Sequence, residues 1–246
     1  MTFTMAQLAM KLALLAASPA SGEAPAVAPA SFAVVVGTNK SPSKDLDPLR
    51  YADDDAIQNA RTLTMLGART TLLVSPDDET RELFPEAHPA GPATHAALRD
   101  AFAAVTEQAA NARAAGRGVR LYVVFAGHGD TAAGRPFLEL EDGRFFREDL
   151  ARLVRGVGAD ENHLVIDACH STLFVGTRGP GGVREPVEPG FSRAAGPAWP
   201  ARTGFLTARS AGGQTHEWSE FGAGVFSHEA RPGLTGAADA NLDGRI

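Results

Sequence analysis

"HLVIDACHSTLF", residues 163–174, carries the only cysteine of a 246-residue chain. The apolar run Leu164–Ile166 stops at Asp167, and Cys169, His170 and Ser171 follow at once. A free cysteine is usually a small core hydrophobe. One placed where a buried strand breaks into polar residues has a second use, as a nucleophile held at the strand's carboxyl end. The rest of the chain has to decide between these readings.

Upstream, "VRLYVVFAGHG" (119–129) has the same design, a continuous β-branched and aromatic run that ends in His128 and Gly129. "FAVVVG" (32–37) and "ARTTLLVS" (68–75) read as further strands buried on both faces, and "GFLTARSA" (204–211) as another. Between them lie helical segments. "DDDAIQNARTLTMLG" (53–67) opens with three acids, spaces Ile57, Leu63 and Leu66 at helical intervals and stops at glycine. "ATHAALRDAFAAVTEQAANARAAG" (93–116) is Ala-rich and helical, and "REDLARLV" and "GVFSHEARPGLTG" (224–236) follow, the last interrupted near Pro232. "PFLELEDGRFF" reads as a hairpin turning at Asp-Gly. Residues 76–92 read as a Pro-rich loop. The alternation predicts an α/β fold: a mostly parallel central sheet of about six strands flanked by helices on both faces and joined by right-handed crossovers.

Composition narrows the function. A net charge of −6 leaves no basic face for nucleic acid. One cysteine excludes an intrachain disulfide and a Cys-rich zinc site. Residues 1–30 stand apart from the fold: Lys11, the apolar Leu12–Ala17 and Ser18-Pro19-Ala20 resemble a short secretory signal with a small-residue cleavage site, too short to span a bilayer. An exported protein, periplasmic or secreted, is expected. Residues 31–246 form one domain, with a Gly-, Pro- and Arg-rich loop at 175–203 read as flexible.

In an open parallel sheet, ligands bind beyond the carboxyl ends of the strands. His128 and Cys169 both belong there, and a thiol–imidazole pair is a sufficient nucleophilic unit. The backbone N–H groups of Gly129 and Cys169 are the candidate oxyanion hole. No G-x-S-x-G elbow is present, which sets aside a small-molecule hydrolase on a similar sheet.

"VVFAGHGD" followed by "LVIDACHS" resembles the His and Cys motifs of caspase-like cysteine peptidases, nearer the metacaspase and bacterial branch than animal caspases. The likeness spans about residues 31–246 and includes "LRYADDDA" and the C-terminal "GVFSHEARPGLTGAADANLDGRI". The two motif residues stand 41 positions apart (128 to 169), against about 50 in animal caspases. Thr172 stands where the branch usually has glycine. The resemblance implies a caspase-like α/β/α sandwich and a cysteine endopeptidase acting on polypeptides with no required cofactor.

It also implies that Asp167 lines the pocket for the residue before the scissile bond (P1) and selects Arg or Lys, with Asp55 as a second acid of that pocket. Asp167 lies two residues before Cys169, so on a continuing strand both side chains face one way. Its carboxylate would need a cation partner if buried. For Asp53–Asp55, helix capping explains the same letters. His170 is expected to point away from Cys169 and to be structural, and His88, His95, His163, His216 and His228 follow no metal-ligand spacing. Arg178, Arg184, Arg193 and Arg202 make the 175–203 loop a candidate for self-processing. Asp239, Asn241 and Asp243 reproduce the first half of a calcium loop, so calcium is a candidate activator or structural ion, and a turn explains the same residues. The loop's twelfth position would fall beyond Ile246, and by the resemblance the chain would be a shortened one. The competing class is a catalytically silent caspase-like module that binds protein partners. Oligomeric state is not legible.

Overall fold

The computed structural model describes residues 28–43, 46–171, 174, 192–193, 199–208 and 216–242. The leader at residues 1–27, most of the 175–203 loop and Asp243 lie outside the described residues.

The buried apolar runs became the sheet. Strands β1 (Ala30–Gly37), β2 (Arg69–Leu73), β3 (Val119–Ala126), β7 (Glu161–Asp167) and β9 (Thr203–Thr207) are parallel, in the order β2-β1-β3-β7-β9. A two-residue strand, β8 (Ser192–Arg193), closes the edge antiparallel to β9. A separate antiparallel meander, β4 (Gly129–Ala132), β5 (Arg135–Leu140) and β6 (Gly143–Phe146), follows β3 directly. Its turn falls on Glu141 and Asp142, and Gly143 opens β6 at φ 131°, where a side chain would be strained. A short ladder of β10 (Glu217–Trp218) and β11 (Ala223–Gly224) precedes the last helix.

Helices cover both faces, as a parallel sheet requires. Helix α1 (Ala52–Met65) buries Ala56, Ile57, Ala60 and Leu63 against Ala33, Val35, Leu72 and Val124. Helices α3 (His95–Ala114) and α4 (Arg147–Val157) cover the other face through Leu98, Phe102, Val105, Leu150 and Val154, on Phe32, Leu121, Leu164 and Ile166. Between them the chain also forms α2 (Asp78–Leu83), in the stretch expected to be loop. Its six residues show no apolar period, but the Asp77 carboxylate caps it by accepting from Thr80 N at 2.9 Å. The last helix, α5 (Val225–Pro232), packs on α1 and runs through Pro232 into a wider turn at Gly233–Ala237.

Part of the loop expected to be wholly flexible belongs to the fold. Trp199 is buried, packs its ring edge-on to Phe205 at 5.0 Å, and donates its indole N–H to the Phe174 carbonyl at 3.0 Å. No helix among the described residues is long and apolar enough to cross a membrane.

Two features of this scaffold position the site. Gly37 ends β1 where a Cβ would lie 2.5 Å from the Ala52 carbonyl oxygen, so only glycine lets the start of α1 pack there. Asn39 then caps α1, its Oδ1 accepting from Ala52 N (2.9 Å) and Asp53 N (3.2 Å). The capping expected of Asp53–Asp55 is therefore shared: Asn39 takes two amides from the preceding loop, and Asp53 Oδ1 takes Asp54 N at 3.0 Å. Asp53 also ties that loop to α2, accepting from Asn39 Nδ2, Asp77 N and Thr80 Oγ1.

Candidate active site

Strands β3 and β7 are neighbours in register, with Ala126 opposite Asp167. Gly127 N extends the ladder by donating to the Asp167 carbonyl at 3.1 Å. His128 and Cys169 each lie two residues beyond this matched pair, so the crossover brings both to the carboxyl end of the sheet. The contact is close: a Cβ on Gly129 would lie 2.9 Å from both the Cys169 carbonyl oxygen and the Ala168 Cβ. Any side chain at 129 would push the two loops apart.

Strand β7 ends at Asp167, and the chain turns through Ala168–Ser171, held by Ser171 N donating to the Ala168 carbonyl (3.3 Å) and Ser171 Oγ to the Ala208 carbonyl (2.6 Å). Two expectations change with it. Strand alternation does not reach Cys169, so it cannot orient Asp167 relative to the thiol. His170 is not on extended backbone either. It sits at φ 54°, a left-handed conformation that is strained for a side-chain-bearing residue, and its Nε2 lies 3.7 Å from Asp130 Oδ1. Positions 169 and 170 of one loop therefore stand beside 129 and 130 of the other.

The half-buried His128 is fixed by a group that side-chain reading misses. Its Nε2 lies 2.9 Å from the Asp47 carbonyl oxygen, in the loop between β1 and α1. A carbonyl only accepts, so Nε2 carries the proton and Nδ1 keeps the lone pair of the neutral ring. The loop is tethered in turn by Ser41 Oγ, which donates to Glu139 Oε1 at 2.9 Å.

Beside the two loops, a cavity of about 300 Å³ is lined by Leu49, Asp55, Ala126, Asp167, His216 and Glu217 among others. Three carboxylates meet there, and each has internal donors. Asp55 accepts from Gly224 N on Oδ2 and from Arg231 on Oδ1, both at 2.7 Å. Asp167 Oδ2 accepts from the Ser227 hydroxyl at 2.7 Å. Glu217 accepts from Arg50 N (3.0 Å) and Tyr51 N (2.8 Å) at the start of α1. Gly224 separates the two aspartates, and a Cβ there would lie 3.0 Å from an oxygen of each.

Burial pushes the Asp55 carboxyl up to about 6, against the opposing pull of Arg231 and the Gly224 amide. Burial also raises Asp167, against the Ser227 hydrogen bonds. No cation pairs directly with Asp167 among the described residues: the Ser227 hydroxyl at the start of α5 is its donor, and Arg231 acts on it only through its charge, from beyond ion-pair distance. The ion pair went to Asp55 instead.

The structure thus brings His128, Gly129 and Cys169 to one end of the sheet, and Asp55 and Asp167 to one cavity. Asp239 and Asn241 follow the last helical turn, with Asp243 outside the described residues. Among the described residues no group of three His, Cys, Asp or Glu side chains is placed to hold a metal. Of the histidines set aside, His95 pairs with Asp142 (2.7 Å), His163 stacks on Tyr122 and His228 on Phe221, whereas His216 lines the cavity. Asp47, Glu217, Ser227 and Arg231 were also missed. Asp47 acts through its backbone, and "THEWSEFGAG" has no period that would single out Glu217 from Glu220. "FSHEAR" does place Ser227 and Arg231 one helical turn apart, a signal available in retrospect.

The caspase domain family model matches residues 30–224. No curated protein matches the chain. A solved structure titled "structure of pro-sf-caspase-1" is similar over 85% of this chain and 71% of its own, at 17% identity and a TM-score of 0.45. The chain belongs to the caspase domain family.

Proposed function

We propose that this member of the caspase domain family is a cysteine endopeptidase that uses Cys169 and His128 and cuts after Arg or Lys. The observation that carries the proposal is the matched placement of the two residues beyond adjacent parallel strands, with His128 held through Nε2 by the Asp47 carbonyl.

In this reading Nδ1 of His128 takes the Cys169 thiol proton, and the thiolate attacks the scissile carbonyl carbon. The carbonyl electrons move to oxygen, where the Gly129 and Cys169 amides donate to the oxyanion. As the C–N bond breaks, imidazolium returns the proton to the leaving amine. Water, deprotonated by His128, then hydrolyses the thioester and restores the thiol. Asp167, Asp55 and Glu217 supply negative charge for a basic P1 side chain.

The same specificity applied to the chain itself would cut the 175–203 segment during maturation. Arg178, Arg184, Arg193 and Arg202 are the candidate cleavage sites, of which Arg202 pairs with Glu161. The leader at residues 1–30 fits export. Calcium, through Asp239, Asn241 and Asp243, is proposed as an activator.

The test is hydrolysis of paired fluorogenic peptides, P1 Arg against P1 Asp, by wild type and Cys169→Ala, with and without calcium, alongside labelling by a thiol-directed electrophile. Arg cleavage that disappears in Cys169→Ala supports the nucleophile and the acidic cavity together. Asp cleavage keeps the pair and overturns the assignment of Asp55 and Asp167. Silence on both, with Cys169 unlabelled, identifies a silent binding module instead.

A further inference from the structure

The cavity has three acids but an uneven allocation of partners. Gly224 of β11 supplies its N–H and helix α5 the Arg231 guanidinium to Asp55, and α5 supplies the Ser227 hydroxyl to Asp167. Arg231 is not part of the cavity wall. It reaches Asp55 from outside, and the pair is well buried, with side chains 13% and 2% exposed. Glu217 is committed to the backbone amides of Arg50 and Tyr51. Among the described residues Asp167 forms no direct ion pair, and the Arg231 charge reaches it only from beyond pairing distance.

A buried carboxylate already paired at hydrogen-bond distance offers little to an incoming cation, which would have to break that pair and leave Arg231 uncompensated. A buried carboxylate held only by neutral donors is in the opposite position, because an arriving cation relieves its desolvation. We propose that Arg231 is a specificity-determining residue, acting through Asp55: it takes up the charge of Asp55 from outside the cavity, so that Asp167 is the acid that receives a substrate cation. The proposal rests on the basic-P1 reading above and refines it, since the two aspartates are then not equivalent.

Benzamidine, a small monocation, probes the cavity without requiring turnover. Its binding to the full chain is measured by titration calorimetry at about pH 8, above the range in which most carboxyls titrate. Asp167→Asn is expected to weaken binding by about tenfold or more, the worth of a lost hydrogen-bonded charge. Arg231→Gln is expected to tighten it by about threefold or more, because Asp55 is released toward the cavity. Adding Asp55→Asn to that variant should cancel the gain, and Arg231→Lys should restore wild-type affinity.

Binding that is unchanged or weaker in Arg231→Gln, with wild-type melting, overturns the proposal. So does an Asp167→Asn protein that binds like wild type, a result independent of whether the Arg231 variants fold. A wild type that does not bind benzamidine overturns it too. If the binding pattern holds but no peptide is hydrolysed, the endopeptidase reading falls while the assignment of Arg231 stands.

Discussion

His128 Nε2 sits 2.9 Å from the carbonyl oxygen of Asp47, 81 residues earlier in the chain. The contact decides which ring nitrogen is basic. It also makes the loop between β1 and α1 part of the proposed active site without lending it a side chain. The expected outcome is a neutral His128 in the Nε2–H form, read from the ¹⁵N shifts of histidine-labelled protein at alkaline pH. A dominant Nδ1–H form would remove His128 as base toward Cys169.

Gly129 is predicted to be irreplaceable for activity rather than for folding. Gly129→Ala sets a methyl 2.9 Å from the Cys169 carbonyl and the Ala168 Cβ, and the loops must separate to admit it. Overpacking of this kind costs about 1–3 kcal/mol of stability. The displacement of nucleophile from base should lower kcat/KM by about a hundredfold. Urea unfolding and peptide hydrolysis on the same protein separate the effects; a fully active variant would mean that the loops do not depend on this contact.

Ser227→Ala tests the cavity through pH. Burial raises the Asp167 carboxyl, and the Ser227 hydroxyl opposes that rise by stabilising the ionised form. Cleavage after Arg needs the ionised form, so kcat/KM should climb as pH rises through the Asp167 titration. Without the hydroxyl the climb should move to higher pH. An unshifted profile would mean that Asp167 does not govern P1 binding.

Asp54 predicts a stability slope. Its residue is 3% exposed, Oδ1 has no partner among the described residues, and burial pushes its carboxyl up to about 6, with Asp53, Asp77 and Asp55 adding to the push. A folded-state value above the unfolded 3.8 stabilises the protein at acid pH. That contribution is complete below 3.8 and lost as pH rises through about 6. Asp54→Asn should flatten the decline and gain about 1–2 kcal/mol at neutral pH, read by chemical denaturation across the range. A variant less stable than wild type at neutral pH would show that the charged form is the one the fold accommodates.

The sheet was legible because burial on both faces imposes one composition on a strand. "FAVVVG", "VRLYVVFA" and "HLVID" could hardly be anything else. Helix α2 was not legible, because one capping aspartate, five polar residues and a single leucine carry no period. The Asp-Gly turn was misplaced by one residue, since Gly143 is needed for its positive φ at the start of β6 rather than inside the turn. In the same way Trp199 looked like part of a polar loop, and only its contacts with Phe205 and Phe174 show it to be core.

By itself the sequence determined that two reactive residues end two buried strands, because strand periodicity and strand ends are local properties of the chain. It also determined that an acid, Asp167, stands two residues before Cys169, whereas Asp55 was assigned to the same pocket only by the family resemblance. Only the tertiary structure decided which of those acids holds a cation. Asp55 and Arg231 are 176 residues apart, and their pairing follows from the packing of α5 on α1, which no local pattern encodes. The Asp47 carbonyl belongs to the same class: every residue has one, and only the folded chain selects which reaches His128.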